Sequence, residues 1–160
     1  MLMSVAPTPT PTPTPEIVER PGVPLARGAA RLLLDMGFAP MTEFSLATGR
    51  RVDVFGVAKN GGLIAVEVKS SRQDFLSDGK WPDYLDFCDW FYFAVPADFP
   101  EELLPAEHGL MRVDAFGGVV VREAPHDPAS AARRKALLAR FGRTAAERLR
   151  QFTDPEAGRG

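Results

Sequence analysis

The sequence predicts one α+β domain, a mixed β-sheet covered by helices, and three observations carry that reading. Residues 51–58 (RVDVFGVA) and 63–70 (LIAVEVKS) are apolar runs on either side of a Gly-rich turn, the pattern of a hairpin. A helix-like stretch separates this hairpin from a third apolar run, residues 90–95 (WFYFAV), so a parallel crossover can join them. Residues 25–36 and 129–152 repeat apolar side chains at helical spacing and supply cover for the sheet.

Taken in order, the first 23 residues include an alternating Pro-Thr tract from Pro7 to Pro15. Proline fixes φ and removes donors, so this run favours extended polyproline II and builds no core. A disordered tail is expected at 1–23. Folded structure is expected from Pro24, with Leu25, Ala29, Leu32, Leu33 and Met36 on one helix face and Gly37 as its stop. A first strand is predicted over 41–47. Beyond the hairpin, Ser71-Arg72-Gln73-Asp74 has the form of a capping box with Ser71 as N-cap. Pro82 fits the first turn of a second helical piece. Residues 110–113 and 119–122 form a second hairpin through DAFGG. The basic helix over 129–152 closes the domain, with Leu137, Leu138, Phe141, Ala145 and Leu149 available for packing, and 153–160 is a flexible end. The domain proper therefore spans 24–128, with the closing helix packed on it.

A chain of 160 residues can bury a sizeable core, and 45 % hydrophobic with 25 % charged residues is ordinary for a globular protein. Cys88 is the one cysteine in the sequence, which excludes an internal disulfide and a cysteine-based metal site and fits a reducing, cytoplasmic setting. No run approaches the ~20 apolar residues that span a bilayer. No secretory signal is read at the N-terminus. The net charge is −2, but residues 129–152 hold seven cations against one acid, leaving that segment at +6 and the remainder at −8. Nucleic-acid partners need a local basic surface, so the total does not exclude DNA. His108 and His126 lack partners at metal-ligand spacing, and no phosphate-binding Gly-rich loop is present.

Charged residues inside the two core runs carry the functional reading. Asp53, Glu67 and Lys69 interrupt apolar stretches, and charges are almost never fully buried unless paired. Side chains alternate along a strand, so Glu67 and Lys69 share one face while Val68 faces the other way. A two-residue turn at Asn60-Gly61 would put Asp53 on the wrong face. A three-residue turn, Asn60-Gly61-Gly62, pairs Asp53 with Lys69 and makes Asp53 a diagonal neighbour of Glu67. Two carboxylates so placed repel unless a cation intervenes. A hard divalent ion, Mg²⁺ or Mn²⁺, suits such a pair, because Mg²⁺ takes one or two carboxylates and completes its shell with water and phosphate oxygens. Lys69 would orient the attacking hydroxide or stabilise charge developing on phosphorus. That is the chemistry of phosphodiester hydrolysis. The simplest alternative is an ion pair at the wet ends of two strands, which predicts no metal affinity.

Asp53 followed by Glu67-Val68-Lys69 resembles the signature of the PD-(D/E)XK nuclease superfamily, with Val52 where that signature has proline. The runs VEVKSSRQDF, DGKWPDY and CDWFYFAVP together resemble the MmcB-related DNA repair proteins, over about residues 25–122. The resemblance implies a restriction-endonuclease-like fold with the core order α-β-β-β-α-β. It also implies DNA as substrate or partner, Mg²⁺ or Mn²⁺ as cofactor, and endo- or exodeoxyribonuclease activity. It makes Asp53 and Glu67 metal ligands, Val68 a backbone-carbonyl ligand and Lys69 the catalytic lysine. Glu43 is the nearest counterpart of a further acid that many relatives carry. Ser71, Gln73, Asp74, Lys80, Trp81 and Tyr84 are candidates for DNA contact, with Asp78 close enough to line the same cleft and Tyr84 able to brace the site. A second reading is a DNA-binding repair accessory, with or without protein partners, that keeps the fold without cutting.

Overall fold

The computed structural model describes residues 17–158. The elements are α1 (Gly22–Asp35), β1 (Phe38–Ser45), β2 (Arg51–Ala58), β3 (Leu63–Val68), α2 (Arg72–Ser77), β4 (Trp90–Val95), β5 (Gly109–Val113), β6 (Gly118–Arg122) and α3 (Ala131–Thr153). Two 3₁₀ segments, Trp81–Phe87 and Glu101–Leu103, lie on either side of β4. The six strands form one sheet in sequential order. β1–β2, β2–β3 and β5–β6 are antiparallel, and β3–β4 and β4–β5 are parallel. The expected mixed sheet with flanking helices, beginning α-β-β-β-α-β, is therefore the fold. The second parallel pair, reached through the long connection after Val95, is a feature the sequence reading did not contain.

Each sheet face is buried under a different cover. Val54, Ile64, Val66, Val68, Tyr92, Ala94 and Met111 pack beneath Ala29, Leu32 and Leu33 of α1. Gly28 lets α1 approach this closely, since a Cβ there would lie 1.7 Å from the Asp114 carbonyl oxygen. Phe55, Leu63, Ala65, Phe91, Phe93 and Leu110 pack on the opposite face against Tyr84 and Leu137, with Trp81, Leu138 and Phe141 alongside. Every residue of β3 is buried, as expected of a central strand covered on both sides.

Two expected boundaries move, and one expected packing face is shorter. α1 begins at Gly22 rather than Pro24, because Pro24 sits in the first helical turn, where its missing N–H would have no partner anyway. β1 begins at Phe38 rather than Met41, and Pro40 is tolerated because β1 is an edge strand. The apolar face of α3 is covered only through its first half: Leu137 is buried, whereas Leu149 is 63 % and Phe152 87 % exposed. Ala145 is exposed as well. The Pro-Thr tract lies outside the described residues. Among the described residues no helix is long and apolar enough to cross a membrane.

Candidate metal and phosphodiester site

The site grows out of the β2–β3 turn. Ala58 N–H donates to the Gly62 carbonyl at 2.8 Å and Gly61 N–H to the Ala58 carbonyl at 2.9 Å, so Lys59, Asn60 and Gly61 form the loop. Gly61 takes the left-handed conformation, φ +84°. The loop has the expected three residues but starts one residue earlier. Pairing accordingly runs from Val57↔Leu63 to Val54↔Val66. One step further, Asp53 stands opposite Glu67 rather than Lys69. The correction shifts the register by two, so parity is kept and Asp53 stays on the Glu67 face. Val68 points into the α1 layer on the other face.

Strand pairing between β2 and β3 stops at Val54↔Val66, and side chains take over. The Val68 N–H donates to Asp53 Oδ2 at 2.8 Å. The N–H and C=O of one strand residue point to the same side, so the Val68 carbonyl also faces the gap beside Asp53. β3 meanwhile continues along β4, with Lys69 N–H donating to the Ala94 carbonyl. This holds Glu67 and Lys69 deep in the protein, 4 % and 1 % exposed. Lys69 Nζ lies 3.2 Å from Glu67 Oε1 and 2.8 Å from Asp78 Oδ2. Ser71 Oγ caps α2 by accepting the Asp74 N–H, and Asp74 Oδ2 accepts from Ser70 N–H at 2.9 Å. That capped turn, followed by the six residues of α2, returns the chain so that Asp78 reaches Lys69.

The electrostatics separate the groups. Burial, then the Asp53 charge, pushes the Glu67 carboxyl up to about 8 despite Lys69. Burial also raises Asp53, against the Val68 N–H and Lys69, which lower it. Burial alone would lower Lys69, but its bonds to Asp78 and Glu67 prevail and raise it. Asp78 is held below the ordinary carboxylate value because the Lys69 and Lys80 contacts outweigh its burial. Near neutral pH, then, the Asp53–Glu67 pair keeps a proton while Lys69 stays charged.

Among the described residues, Glu67 Oε2 is the buried side-chain polar atom without a hydrogen-bond partner. A buried orphan oxygen next to a second carboxylate fits a cation or a proton. The donor set is two carboxylates and a carbonyl. Among the described residues no three His, Cys, Asp or Glu side chains converge, so any metal here would rely on water or phosphate for the rest of its shell.

The remaining candidates divide. Ser71, Gln73 and Lys80 are exposed around the site, while Asp74 is occupied by the α2 cap. Tyr84 is buried, and its hydroxyl donates to the Arg51 carbonyl at 3.0 Å, bracing β2 rather than facing a ligand. Trp81 is half-buried, its ring packed against Phe91, Phe93 and His108 at the edge of the core. Glu43 does not join the carboxylates: its side chain is exposed, 4.0 Å from Arg51. The backbone there has φ +52°, which turns the residue out of the strand pattern. The pairing of Lys69 with Asp78 was not read from the sequence, although a lysine set in an apolar run signals that acidic partners exist.

Fold and site together define an α+β protein with a carboxylate–carboxylate–lysine cluster where its central hairpin opens, the arrangement that the PD-(D/E)XK resemblance implies. The chain belongs to the MmcB-like family, described as DNA repair protein MmcB-like, which it matches over residues 17–156. Among solved structures it is similar to SPO1766, a protein of unknown function from Silicibacter pomeroyi. The two share 47 % identity over 88 % of this chain and 96 % of that one, with a TM-score of 0.83. A repair endonuclease from Pyrococcus abyssi shows a partial likeness: 19 % identity, TM-score 0.42, covering 62 % of this chain and 50 % of that one. No curated protein matches the sequence.

Proposed function

We propose that this member of a DNA repair family is a divalent-metal-dependent nuclease that hydrolyses DNA phosphodiester bonds. The single observation behind this reading is the unpartnered, buried Glu67 Oε2 beside Asp53, with a charged lysine at 3.2 Å from the same carboxyl group. Asp53, Glu67 and the Val68 carbonyl would hold Mg²⁺ or Mn²⁺. Such an ion, when bound, lowers the pKa of a water and offsets charge on phosphorus. Lys69 serves as a fixed positive charge rather than a base, since its partners keep it protonated. It would stabilise negative charge growing on the phosphoryl oxygens or orient the attacking oxygen. Asp78 keeps Lys69 in place, and the capped α2 turn keeps Asp78 in place.

A second reading has its own support. Lys69 is almost wholly buried and shared between two carboxylates, and no third acidic ligand converges on the pair. Such a site could bind a cation and DNA without cutting. The deciding experiment incubates the full chain with Mg²⁺ or Mn²⁺ and linear, nicked, flapped, branched and abasic DNAs, beside Asp53→Asn. Metal-dependent cutting that Asp53→Asn lowers by about a hundredfold or more, the loss of a group acting on the reacting centre, supports the nuclease. Metal-dependent stabilisation with no cutting of any substrate supports the accessory. If metal changes neither stability nor DNA, the cluster is structural.

A further inference from the structure

We infer that Arg148, near the far end of α3, is a positioning residue for Asp53 that acts through the backbone of Glu43; this rests on the metal-binding reading above. Among the described residues Glu43 is the one non-glycine with positive φ, +52°. A side chain in that conformation is costly and persists only where its surroundings enforce it. The register shows where this happens. Thr42 pairs with Val54 and Phe44 with Val52, so Glu43 lies directly across from Asp53.

Successive carbonyls of a strand point in opposite directions. Here the Thr42 and Glu43 carbonyls both accept from one guanidinium, at 2.6 Å and 2.7 Å from Arg148. The left-handed residue is what lets them do so. Its effect on packing is visible in both strands. Met41 and Phe44, three residues apart, enter the same core, as do Val52 and Phe55, although strict alternation would separate each pair. The face switch buries Phe44 and Val52 beside Asp53 and leaves the Asp53 carboxylate at the strand end, where it accepts the Val68 N–H.

Docking of α3 does not by itself require this contact. The helix is already held by Arg134 on Asp89, with both distances 2.6 Å, and by Leu137, Leu138 and Phe141. Arg148 spans more than a hundred residues of sequence to grip two backbone oxygens at the point where β1 faces the site. It supplies the restraint that a strained Glu43 needs, and through it the placement of Asp53.

The test uses the full chain and two readouts other than cleavage: Mn²⁺ affinity by titration calorimetry, and hydrogen exchange at the Val68 amide without metal. Arg148→Met should weaken Mn²⁺ binding by about ten- to a hundredfold, the usual effect of losing a group that orients a ligand. It should also speed Val68 exchange while circular dichroism stays unchanged. Glu43→Gly in the same background should restore most of both losses, because glycine adopts positive φ without help. A purely structural role for Arg148 would not be repaired by a glycine at position 43. If Arg148→Met does not fold, Arg148→Lys keeps the charge but cannot span both carbonyls, and the same rescue applies. Wild-type affinity in Arg148→Met, or no rescue by Glu43→Gly in a folded protein, overturns the inference alone. Absence of Mn²⁺ binding in the wild type overturns the function proposed above, and the Val68 exchange rates then still decide the role of Arg148.

Discussion

Replacing Glu67 by glutamine should stabilise the metal-free protein, although it removes a member of an ion pair. In the folded chain the carboxyl titrates at about 8 instead of 4.5, because of burial first and Asp53 second. Near neutral pH an unfolded glutamate is ionised, whereas folded Glu67 keeps its proton, so folding must take one up. At about 1.36 kcal/mol per pKa unit the gap costs at most about 3 kcal/mol at pH 7. Glutamine fills the same space and still offers an oxygen to Lys69 Nζ, now at 3.2 Å from Glu67 Oε1, but it has no charge to desolvate. Lys69 loses some attraction and keeps Asp78 at 2.8 Å. A net gain of about 1–2 kcal/mol remains, or roughly 5 °C in Tm for a domain of this size. The assay is thermal unfolding at pH 7–8 in a chelator, then again with Mn²⁺, where wild type should rise and Glu67→Gln should not. A Tm that falls in the chelator, by the equivalent of about 3 kcal/mol, would mean that Glu67 is a net-stabilising ion-pair partner, and the reasoning would fail.

The same raised carboxyl sets a pH dependence. The folded state holds more protons than the unfolded state between about 4.5 and about 8, so metal-free stability should fall as pH rises through that window and level off above it. Mn²⁺ affinity should climb over the same range as the proton becomes easier to displace, and a flat melting profile with and without metal would contradict both. At the other end of the sheet, Asp89→Asn should cost about 3 kcal/mol in urea unfolding, because it strips the charge from a buried, bidentate arginine pair. Mn²⁺ affinity should be untouched, and a change there would show that the two ends are coupled.

The hairpin shows what local sequence can and cannot decide. Its three-residue loop and the shared face of Asp53 and Glu67 were legible, because both follow from the length of the turn and the two-residue period of a strand. Which glycine takes the left-handed position was not. Gly61 and Gly62 serve equally well locally; Gly61 takes the turn, and at Gly62 the Trp90 ring lies 3.0 Å from where a side chain would begin. Gly62 is thus spent on packing and Gly61 on the turn. The closing helix teaches a similar lesson. Its apolar stripe was visible, but the sheet ends at β1 before the helix does, so Leu149 and Phe152 overhang. Arg148 carried no local signal at all, since the carbonyls it binds lie more than a hundred residues away.

The two buried acids among the described residues bear most directly on where chemistry would occur. Asp89 and Glu67 are nearly equally buried, and both touch a cation. Asp89 accepts the Leu63 and Ala129 N–H groups and both arms of Arg134. Burial raises its pKa, but the Arg134 bonds and the two amides prevail and hold it low. Nothing is left for a ligand to supply, which is the mark of a structural acid. Glu67 has one oxygen on Lys69 and one on no donor, with a second carboxylate facing it, and its pKa is driven up. A chain that satisfies one buried carboxylate completely at one end of its sheet has the means to satisfy the other. Near neutral pH the Asp53–Glu67 pair holds a proton that a bound cation would replace, and this contrast with Asp89 supports the site proposed above.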